Sequence, residues 1–357
     1  MSEKKGYDYR KGFSVNAKAN PTSAEAKAPF IDNGSGPISP KRYFSEEWMK
    51  RERSHLWAKV WNWAGREEDL PDEGDFFTFK LGRESFILVR GEDRKVRAFF
   101  NVCPHRGNRL VAEGSGFLAD KISCPFHAWE FALDGRIALV TDKETFRSEA
   151  LERDLGLSEV RCEIWEGFIF INMDHGAKPL VETLGPLPEH AAPYKLKGMR
   201  IVRRLSSTWD ANWKVGFDGF AEAYHVHCIH PQILPIFNDY HSQIDLYKNG
   251  MTRAITKFGE ESPRLKNKEI NAGLQALMRE VGINPEKYQG SVKEIRLAIQ
   301  KAKRAWAKKL GLDWSGFIDS QLTDDWNYSI FPNILLGLHP EGANLLYFRP
   351  HPTDPRK

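Results

Sequence analysis

The chain has 357 residues, of which 41% are hydrophobic and 28% are charged, and it carries a net charge of +4. These values predict a globular protein with room for two domains and a sizeable core. The basic residues are dispersed, which argues against nucleic acid binding, and no apolar run is long enough to cross a membrane. The polar N-terminus lacks the apolar segment of a secretory signal, and four cysteines are too few for a disulfide framework. We therefore expect a cytoplasmic protein whose cysteines are candidate metal ligands.

Residues 1–43 are rich in Ala, Ser, Pro, Gly and Lys, which predicts a flexible N-terminal arm. Ser45 is a candidate N-cap for a helix over residues 44–58, because Trp48, Leu56 and Trp57 follow at helical spacing. We expect this helix to pack against the C-terminal domain.

Short β-rich stretches alternate with turns across residues 59–172 and predict a small antiparallel β domain. The stretches are DFFTFKLG, SFILVRG, KVRAFFNV and WEGFIFINM. Between the third and fourth, Asp134 and Gly135 form a dipeptide that is typical of a hairpin turn.

Residues 173–357 predict a second domain that mixes strands and helices and begins near the proline-rich connector PLPEHAAPY. A strand is expected to run into a helix within MRIVRRLSSTWDANWKV. Helices are expected over residues 264–312, ended by Gly311, and two strands over WNYSIFPNILLGLHP and ANLLYFRPHP. The predicted fold class is therefore α+β.

A first cluster of candidate ligands lies in NVCPHRGNRL and ISCPFHAWEF. Cys103 and His105 form a Cys-x-His pair, and after eighteen intervening residues Cys124 and His127 form a Cys-x-x-His pair. Each half places one thiolate and one imidazole on a short loop that contains a proline. A zinc site with two Cys and two His ligands fits this set, and so does a Rieske [2Fe-2S] cluster. The spacing favours the cluster, because zinc fingers usually pair Cys with Cys and then His with His.

A second cluster lies in GFAEAYHVHCIHPQ and contains Glu222, His225 and His230. Residues five apart lie roughly 140° apart around a straight helix, so the two imidazoles cannot face one ion from it. Pro231 disfavours helix at the residue before it, and we therefore expect the helix to end near Ile229 and His230 to turn back. Two imidazoles with a carboxylate form the facial triad of a non-haem Fe(II) site that leaves positions open for O₂.

The two Cys-His loops, followed by NWKVGFDGFAEAYHVHCIH, resemble the α subunits of Rieske non-haem iron ring-hydroxylating oxygenases over roughly residues 45–357. The resemblance implies a Rieske [2Fe-2S] domain of antiparallel strands and then a catalytic domain of antiparallel sheet with helices, helix-grip-like in form. The cluster ligands that it implies are Cys103, His105, Cys124 and His127. The chain departs from the usual loop pattern at Phe126 and Ala128, where Tyr and Gly are common.

For the second cluster, the resemblance implies that His225 and His230 bind the mononuclear iron. Glu222 then forms a hydrogen-bonded bridge between that iron site and a Rieske histidine of a neighbouring subunit. Tyr224 is expected to support the site. Asp218 stands where the family often has Asn, and it could line the pocket, orient a ligand or be a surface acid.

The family's third iron ligand is an Asp well downstream of this cluster, on a helix after the last strands of the domain. Asp324 and Asp325 precede the last predicted strands, and Asp354 comes too early. We therefore expect a catalytic domain that is incomplete at its C-terminus, with the ligand beyond Lys357. The alternative is that Glu222 or another acid completes the site.

The resemblance also implies a reaction and partners. An NAD(P)H-linked flavin reductase, often with a ferredoxin, would supply electrons to a homotrimer of α subunits, with or without a β subunit. The substrate would be a small aromatic or other apolar molecule, and ring dihydroxylation with O₂ is the expected reaction. The alternatives are a Rieske-type mono-oxygenase or demethylase, a non-catalytic Rieske electron carrier, and a zinc-stabilised binding module.

Overall fold

The computed structural model describes residues 12–15, 23–265 and 269–357. Contacts divide the chain into two compact units. The β unit comprises Ser39–Glu182, Arg200–Trp213 and Arg349–Lys357, and the α+β unit comprises Met1–Ile38, Thr183–Met199 and Lys214–Phe348. The arm predicted over residues 1–43 lies partly outside the described residues, and the predicted domain limits stay a prediction.

The β unit contains one sheet of seven strands and one of three, and every pair of neighbouring strands is antiparallel. The large sheet has the order β1-β10-β9-β4-β3-β2-β5, and the small sheet has the order β6-β7-β8. The strands are β1 Asn62–Arg66, β2 Asp75–Leu81, β3 Glu84–Arg90, β4 Val96–Phe100, β5 Ser115–Phe117, β6 Lys121–Ser123, β7 Glu130–Ala132, β8 Ile137–Leu139, β9 Glu159–Trp165 and β10 Phe168–Asn172. The antiparallel β domain predicted from the sequence is confirmed.

The two sheets of this unit share one hydrophobic core, to which Ile87 and Phe99 of the large sheet and Ile122 and Phe131 of the small sheet contribute. The predicted turn after β7 is also confirmed, because Gly135 adopts a φ of 89° there. A Cβ at Gly135 would lie 2.4 Å from the Phe99 ring, so both the backbone conformation and the core require glycine.

Two short helices belong to this unit. Helix α1 spans Glu46–Glu52, and the predicted cap is present because Ser45 Oγ accepts a hydrogen bond from the Trp48 N–H at 3.3 Å. A π-helical turn, Arg53–Trp57, continues it. Helix α2 is a single turn, Ser148–Leu151.

The α+β unit is built around a five-stranded antiparallel sheet in the order β11-β12-β13-β14-β15. Its strands are β11 Gln243–Leu246, β12 Thr252–Thr256, β13 Asp325–Ile330, β14 Ile334–His339 and β15 Gly342–Tyr347. The sequence predicted one strand where β13 and β14 lie. That prediction was wrong, because Pro332 lacks the N–H that a continuous strand would donate, and the chain turns back there.

The helices are α3 Leu180–Thr183, α4 Leu187–Ala191, α5 Trp213–Phe220, α6 Val226–Ile229, α7 Ala272–Glu280, α8 Ile295–Lys309 and α9 Asp319–Thr323. The helices expected over 264–312 are confirmed as α7 and α8, except that residues 266–268 lie outside the described part, and Gly311 follows α8 with a φ of 71°. The strand expected before α5 was wrong. Residues 199–209 are mostly exposed and pair with no described strand, and an isolated strand has no ladder to stabilise it.

A buried ion pair joins the sheet of this unit to described residues of the N-terminal arm. Arg253 of β12 is fully buried and its Nη2 lies 2.6 Å from Asp245 Oδ2 of β11. The same guanidinium donates hydrogen bonds to the carbonyls of Ala24 and Ala26. His190 lies beside it, with Nδ1 3.3 Å from Arg253 Nη1 and 3.0 Å from the Tyr328 hydroxyl.

We expect the α+β unit to lose stability in acid through His190. Burial, and then the charge of Arg253, lower the pKa of this imidazole from 6.5 to about 4. Between these values the unfolded chain binds more protons than the folded chain. The contribution of the neutral ring is therefore complete above pH 6.5 and lost as the pH falls to about 4. Its size is about 2 kcal/mol, after allowance for the partial exposure of the ring.

Replacing His190 with Asn tests this, because the amide retains polar hydrogen-bonding groups but does not titrate in this range. Urea unfolding from pH 4 to 7 should show a weaker dependence of the unfolding free energy on pH in H190N than in the unmodified chain. Equal dependence in both proteins would contradict the assignment to His190.

Candidate metal centres

The two Cys-His loops of the β unit have the same backbone hydrogen bonds. In the first loop, the Cys103 N–H donates to the Asn108 carbonyl at 2.7 Å, and the Gly107 N–H donates to the Cys103 carbonyl at 2.9 Å. In the second loop, the Cys124 N–H donates to the Trp129 carbonyl at 2.8 Å. The Ala128 N–H donates to the Cys124 carbonyl at 2.9 Å. Each loop therefore closes from a cysteine onto the fourth and fifth residues after it.

The residue four positions after each cysteine has a left-handed backbone. Gly107 has a φ of 73° and Ala128 has a φ of 56°. Glycine adopts this conformation without strain, whereas alanine does not. Ala128, where the family usually has glycine, therefore occupies a backbone conformation that is strained for alanine.

The four candidate ligands converge as two pairs. Cys103 and Cys124 are buried, and their thiols are close enough to hydrogen-bond, so burial and the neighbouring thiol raise the pKa of Cys103. The rings of His105 and His127 lie nearer the surface, with centroids 4.7 Å apart. Burial, followed by the charges of His127 and nearby arginines, lowers the pKa of His105.

An aromatic platform orients His105. Its ring stacks on that of Trp129 with centroids 4.7 Å apart and planes 6° from parallel, and the ring of Phe146 lies edge-on at 6.1 Å. The sequence analysis missed both residues. Trp129 follows the second loop directly and could have been suspected, whereas Phe146 reaches the site only through the tertiary fold.

The paired arrangement bears on the two metal groups that the sequence left open. A zinc site would use all four side chains as ligands of one ion, whereas here the two thiols form one pair and the two imidazoles form another. A Rieske cluster needs only two thiolates on one iron and two imidazoles on the other. The residues present therefore fit a two-iron cluster.

The second candidate centre lies in the α+β unit at a break between α5 and α6. The sequence predicted one helix through this region, but α5 ends at Phe220 and α6 begins at Val226. Glu222 lies in the break, and its Oε2 accepts hydrogen bonds from the backbone N–H groups of Tyr224 and His225. The carboxylate thereby caps the turn that leads into α6.

The break brings the two predicted iron ligands together. Helix α6 ends at Ile229 as predicted, and His230 leaves the helix with φ −127° and ψ 50°. The His225 and His230 ring centroids lie 5.3 Å apart. The Nδ1 atom of His225 is 2.7 Å from Glu222 Oε1, which places the proton on Nδ1. The lone pair of Nε2 is then available to bind a metal.

The described residues provide two imidazoles here, and no third ligand converges with them. Asp324 is excluded because it is fully buried in an ion pair with Arg296, at 2.6 Å. Tyr224 is 78% exposed, and its ring packs edge-on against His227 with centroids 5.5 Å apart. Asp218 is exposed on α5. Their predicted supporting roles stay predictions.

Two family models match the chain. The Rieske [2Fe-2S] domain matches residues 60–150, and the ring hydroxylating alpha subunit catalytic domain matches residues 196–357. No described helix is long and apolar enough to cross a membrane.

Three curated relatives are bacterial oxygenase subunits. The carnitine monooxygenase oxygenase subunit of Acinetobacter pittii is 35% identical over 53% of this chain and 51% of its own length. That of Escherichia coli K12 is 33% identical over 66% of this chain and 63% of its own. The glycine betaine monooxygenase oxygenase subunit of Pseudomonas aeruginosa is 28% identical over 54% of this chain and 44% of its own. The chain thus spans about half the length of the curated relatives it matches.

Two solved structures share the fold. A quaternary ammonium Rieske monooxygenase matches 88% of this chain and 72% of its own, with a TM-score of 0.63 and 23% identity. Naphthalene 1,2-dioxygenase with bound indole matches 87% of this chain and 67% of its own, with a TM-score of 0.59 and 24% identity. The predicted succession of an antiparallel Rieske domain and a catalytic domain of sheet and helices is therefore confirmed.

The strained position in the second loop generates a prediction about stability. Replacing Ala128 with Gly should raise the unfolding free energy by about 1 kcal/mol, because relief of the left-handed strain exceeds the added freedom of the unfolded chain. Thermal unfolding of the cluster-loaded protein would measure it.

The matched control is Gly107→Ala, at the same position of the first loop. No atom lies within 4 Å of a Cβ built at Gly107, so only backbone strain should act there. We expect a destabilisation of about 1 kcal/mol. Shifts of the same sign in the two variants would refute the equivalence of the loops.

Proposed function

This chain belongs to the Rieske oxygenase α subunits, and we propose that it is the oxygenase component of a mono-oxygenase that acts on a small quaternary ammonium compound. The observation that carries the proposal is that relatives at 33–35% identity are carnitine monooxygenase oxygenase subunits. The glycine betaine relative supports the same substrate class. Ring dihydroxylation, which was expected from the family resemblance, has less support because these relatives are monooxygenases. The ligand residues do not separate the two reactions, since both use the same ones.

The two domains imply a Rieske [2Fe-2S] cluster, a mononuclear iron and O₂, as expected from the sequence. When bound, the cluster stores an electron and the mononuclear iron activates O₂. In our proposal Cys103 and Cys124 hold one cluster iron and His105 and His127 hold the other. His225 and His230 are the proposed ligands of the mononuclear iron.

Glu222 has two tasks in this proposal. It holds the proton on His225 Nδ1, so that the lone pair of Nε2 would be available to bind the iron. It also caps the turn before α6 through the backbone N–H groups of Tyr224 and His225. With 40% of its side chain exposed, Glu222 can also reach a histidine of another subunit, which is the bridging role expected from the family.

The proposed reaction consumes O₂, two electrons and two protons, inserts one oxygen atom into a C–H bond and releases the other as water. If the hydroxylated carbon is bonded to the quaternary nitrogen, its hydroxyl proton leaves and the C–N bond breaks. The products are then a tertiary amine and a carbonyl compound.

An aromatic cluster in the α+β unit supports a cationic substrate. The ring centroid of Phe348 lies 6.1 Å from that of Phe217 and 6.0 Å from that of Phe220, both on α5. Ring faces attract quaternary ammonium groups, which cannot donate hydrogen bonds. We propose that these rings line the approach to the iron site.

The proposal includes partners. Electrons come from an NAD(P)H-linked flavin reductase, with or without a ferredoxin, in the cytoplasm. The α subunits assemble as a homotrimer, with or without a β subunit, so that the cluster of one subunit can serve the iron of its neighbour.

Metal analysis of anaerobically purified protein tests the cofactors. We expect about two irons and two acid-labile sulfides that resist a chelator, and one further Fe(II) that the chelator removes. The third iron should be weakly held, because the described residues offer it two imidazoles and no third ligand. Zinc without sulfide would contradict the proposal.

The variant Cys103→Ser should abolish sulfide and visible absorbance, because it removes one of the thiolates. Cys162→Ser is the matched control. Cys162 lies on β9, outside both loops, and burial raises the pKa of its thiol to about 12. Loss of the cluster in C162S as well would mean that global unfolding, and not ligand loss, explains the first result.

Binding of matched ligands tests the substrate class. Glycine betaine and tert-butylacetate differ only in a quaternary nitrogen or carbon, and we expect betaine to bind about tenfold more tightly. Carnitine should behave like betaine. Equal affinity for the two isosteres, or tighter binding of naphthalene, would favour the ring-hydroxylating alternative.

A further inference from the structure

His227 lies on α6 between the two proposed iron ligands, and its side chain points away from His225. Residues two apart on a helix lie about 200° apart around its axis. The Nδ1 atom of His227 is buried and has no hydrogen-bond partner within the described stretches of the chain. A buried nitrogen without a hydrogen-bond partner destabilises the fold, unless a polar group that faces it can serve as the partner.

That group is Asp239. Its Oδ2 lies 4.0 Å from His227 Nδ1, and its side chain is fully buried. Ser262 Oγ donates to Oδ1 at 2.5 Å and Arg264 Nε donates to Oδ2 at 2.7 Å. The carboxylate is therefore fixed by hydrogen bonds on two sides and faces His227.

The backbone around Asp239 is anchored to the segment that follows β12. The Asn238 N–H donates to the Lys257 carbonyl at 3.0 Å, one residue after the end of β12. The Gly259 N–H donates to the Ile236 carbonyl at 2.9 Å, and the Ser262 N–H donates to the Leu234 carbonyl at 2.8 Å. Asp239 thus stands on a segment bound at three points to residues 257–262.

Helix α6 has a second connection to the same segment, which is apolar. Val226 is buried against Leu234 and Phe237, and the Phe237 ring meets that of Phe258 at 5.0 Å. These apolar contacts hold α6 against the segment that contains Leu234 and Phe237. They do not fix the rotation of α6 about its axis, because apolar contacts are not directional. A hydrogen bond between His227 and Asp239 would be directional, and Asp239 belongs to the same segment as Leu234 and Phe237.

We propose that Asp239 is a positioning residue of the iron site. Its carboxylate accepts a hydrogen bond from Nδ1 of His227, and this bond sets the rotation of α6 and with it the placement of His225 and His230. The two atoms lie 4.0 Å apart in the structure, and the proposed bond requires the imidazole to turn until they are about 3 Å apart. The inference rests on the proposed iron site.

The test is a double-mutant cycle in the full chain with Asp239→Asn, His227→Phe and both together, because Phe keeps a ring but cannot hydrogen-bond. The dissociation constant of Fe(II) at the mononuclear site is measured anaerobically, and the EPR signal of its nitric oxide adduct reports the ligand geometry. Loss of a residue that orients metal ligands typically weakens binding by 10- to 100-fold. We expect each single variant to weaken Fe(II) binding about tenfold and to alter the EPR signal, and the double variant to weaken it no further.

His339→Phe is the matched control, because His339 also faces a carboxylate, Asp325, at 3.6 Å, but lies on β14. It should leave Fe(II) binding unchanged. If Asp239→Asn does not fold, His227→Phe still carries the test, since it removes the same hydrogen bond and leaves Asp239 bonded to Ser262 and Arg264.

Three results would overturn the inference. Unchanged Fe(II) binding and EPR signal in the single variants would show that Asp239 does not position the ligands. Fully additive losses in the double variant would show that it acts by a route other than His227. Failure of the unmodified chain to bind Fe(II) would overturn the proposed iron site itself, and the inference with it.

Discussion

Backbone hydrogen bonds that close each Cys-His loop onto its own cysteine determine where the thiols and imidazoles of the first centre point. The Cys103 and Cys124 N–H groups each reach the carbonyl five residues on, which turns the loop tightly enough to bury the sulfur and leave the imidazole outside. Two such loops packed together separate soft ligands from nitrogen ligands. That separation suits a cluster with chemically different irons, and the shared core of the two sheets holds the loops in place.

In the second centre a side chain, and not a backbone group, closes the turn that carries the candidate ligands. Glu222 accepts backbone N–H groups at the start of α6 and binds Nδ1 of His225, so one carboxylate shapes the turn and orients a ligand. A turn held this way depends on few contacts. The turn is supported by the apolar contacts of Val226 and, in our proposal, by the pairing of His227 with Asp239.

Buried charge recurs in the α+β unit away from the metal site. The Arg253–Asp245 pair is fully buried, and carbonyls of the N-terminal arm complete the guanidinium's hydrogen bonds. Breaking such a pair typically costs about 3–5 kcal/mol, because one charge is left without a partner. Residues near 24–26 thus take part in the stability of the sheet, a role that their composition does not reveal.

The sequence by itself predicted the candidate ligand residues and their division between two candidate centres, and it determined the antiparallel strands of the first domain and the end of α6 before Pro231. These follow from local chemistry: residue type, spacing, and the restrictions that proline and glycine impose. Only the tertiary structure decided that Phe146 lies against His105 and that Asp239 faces His227. Those features depend on contacts between residues distant in sequence, which no local pattern encodes.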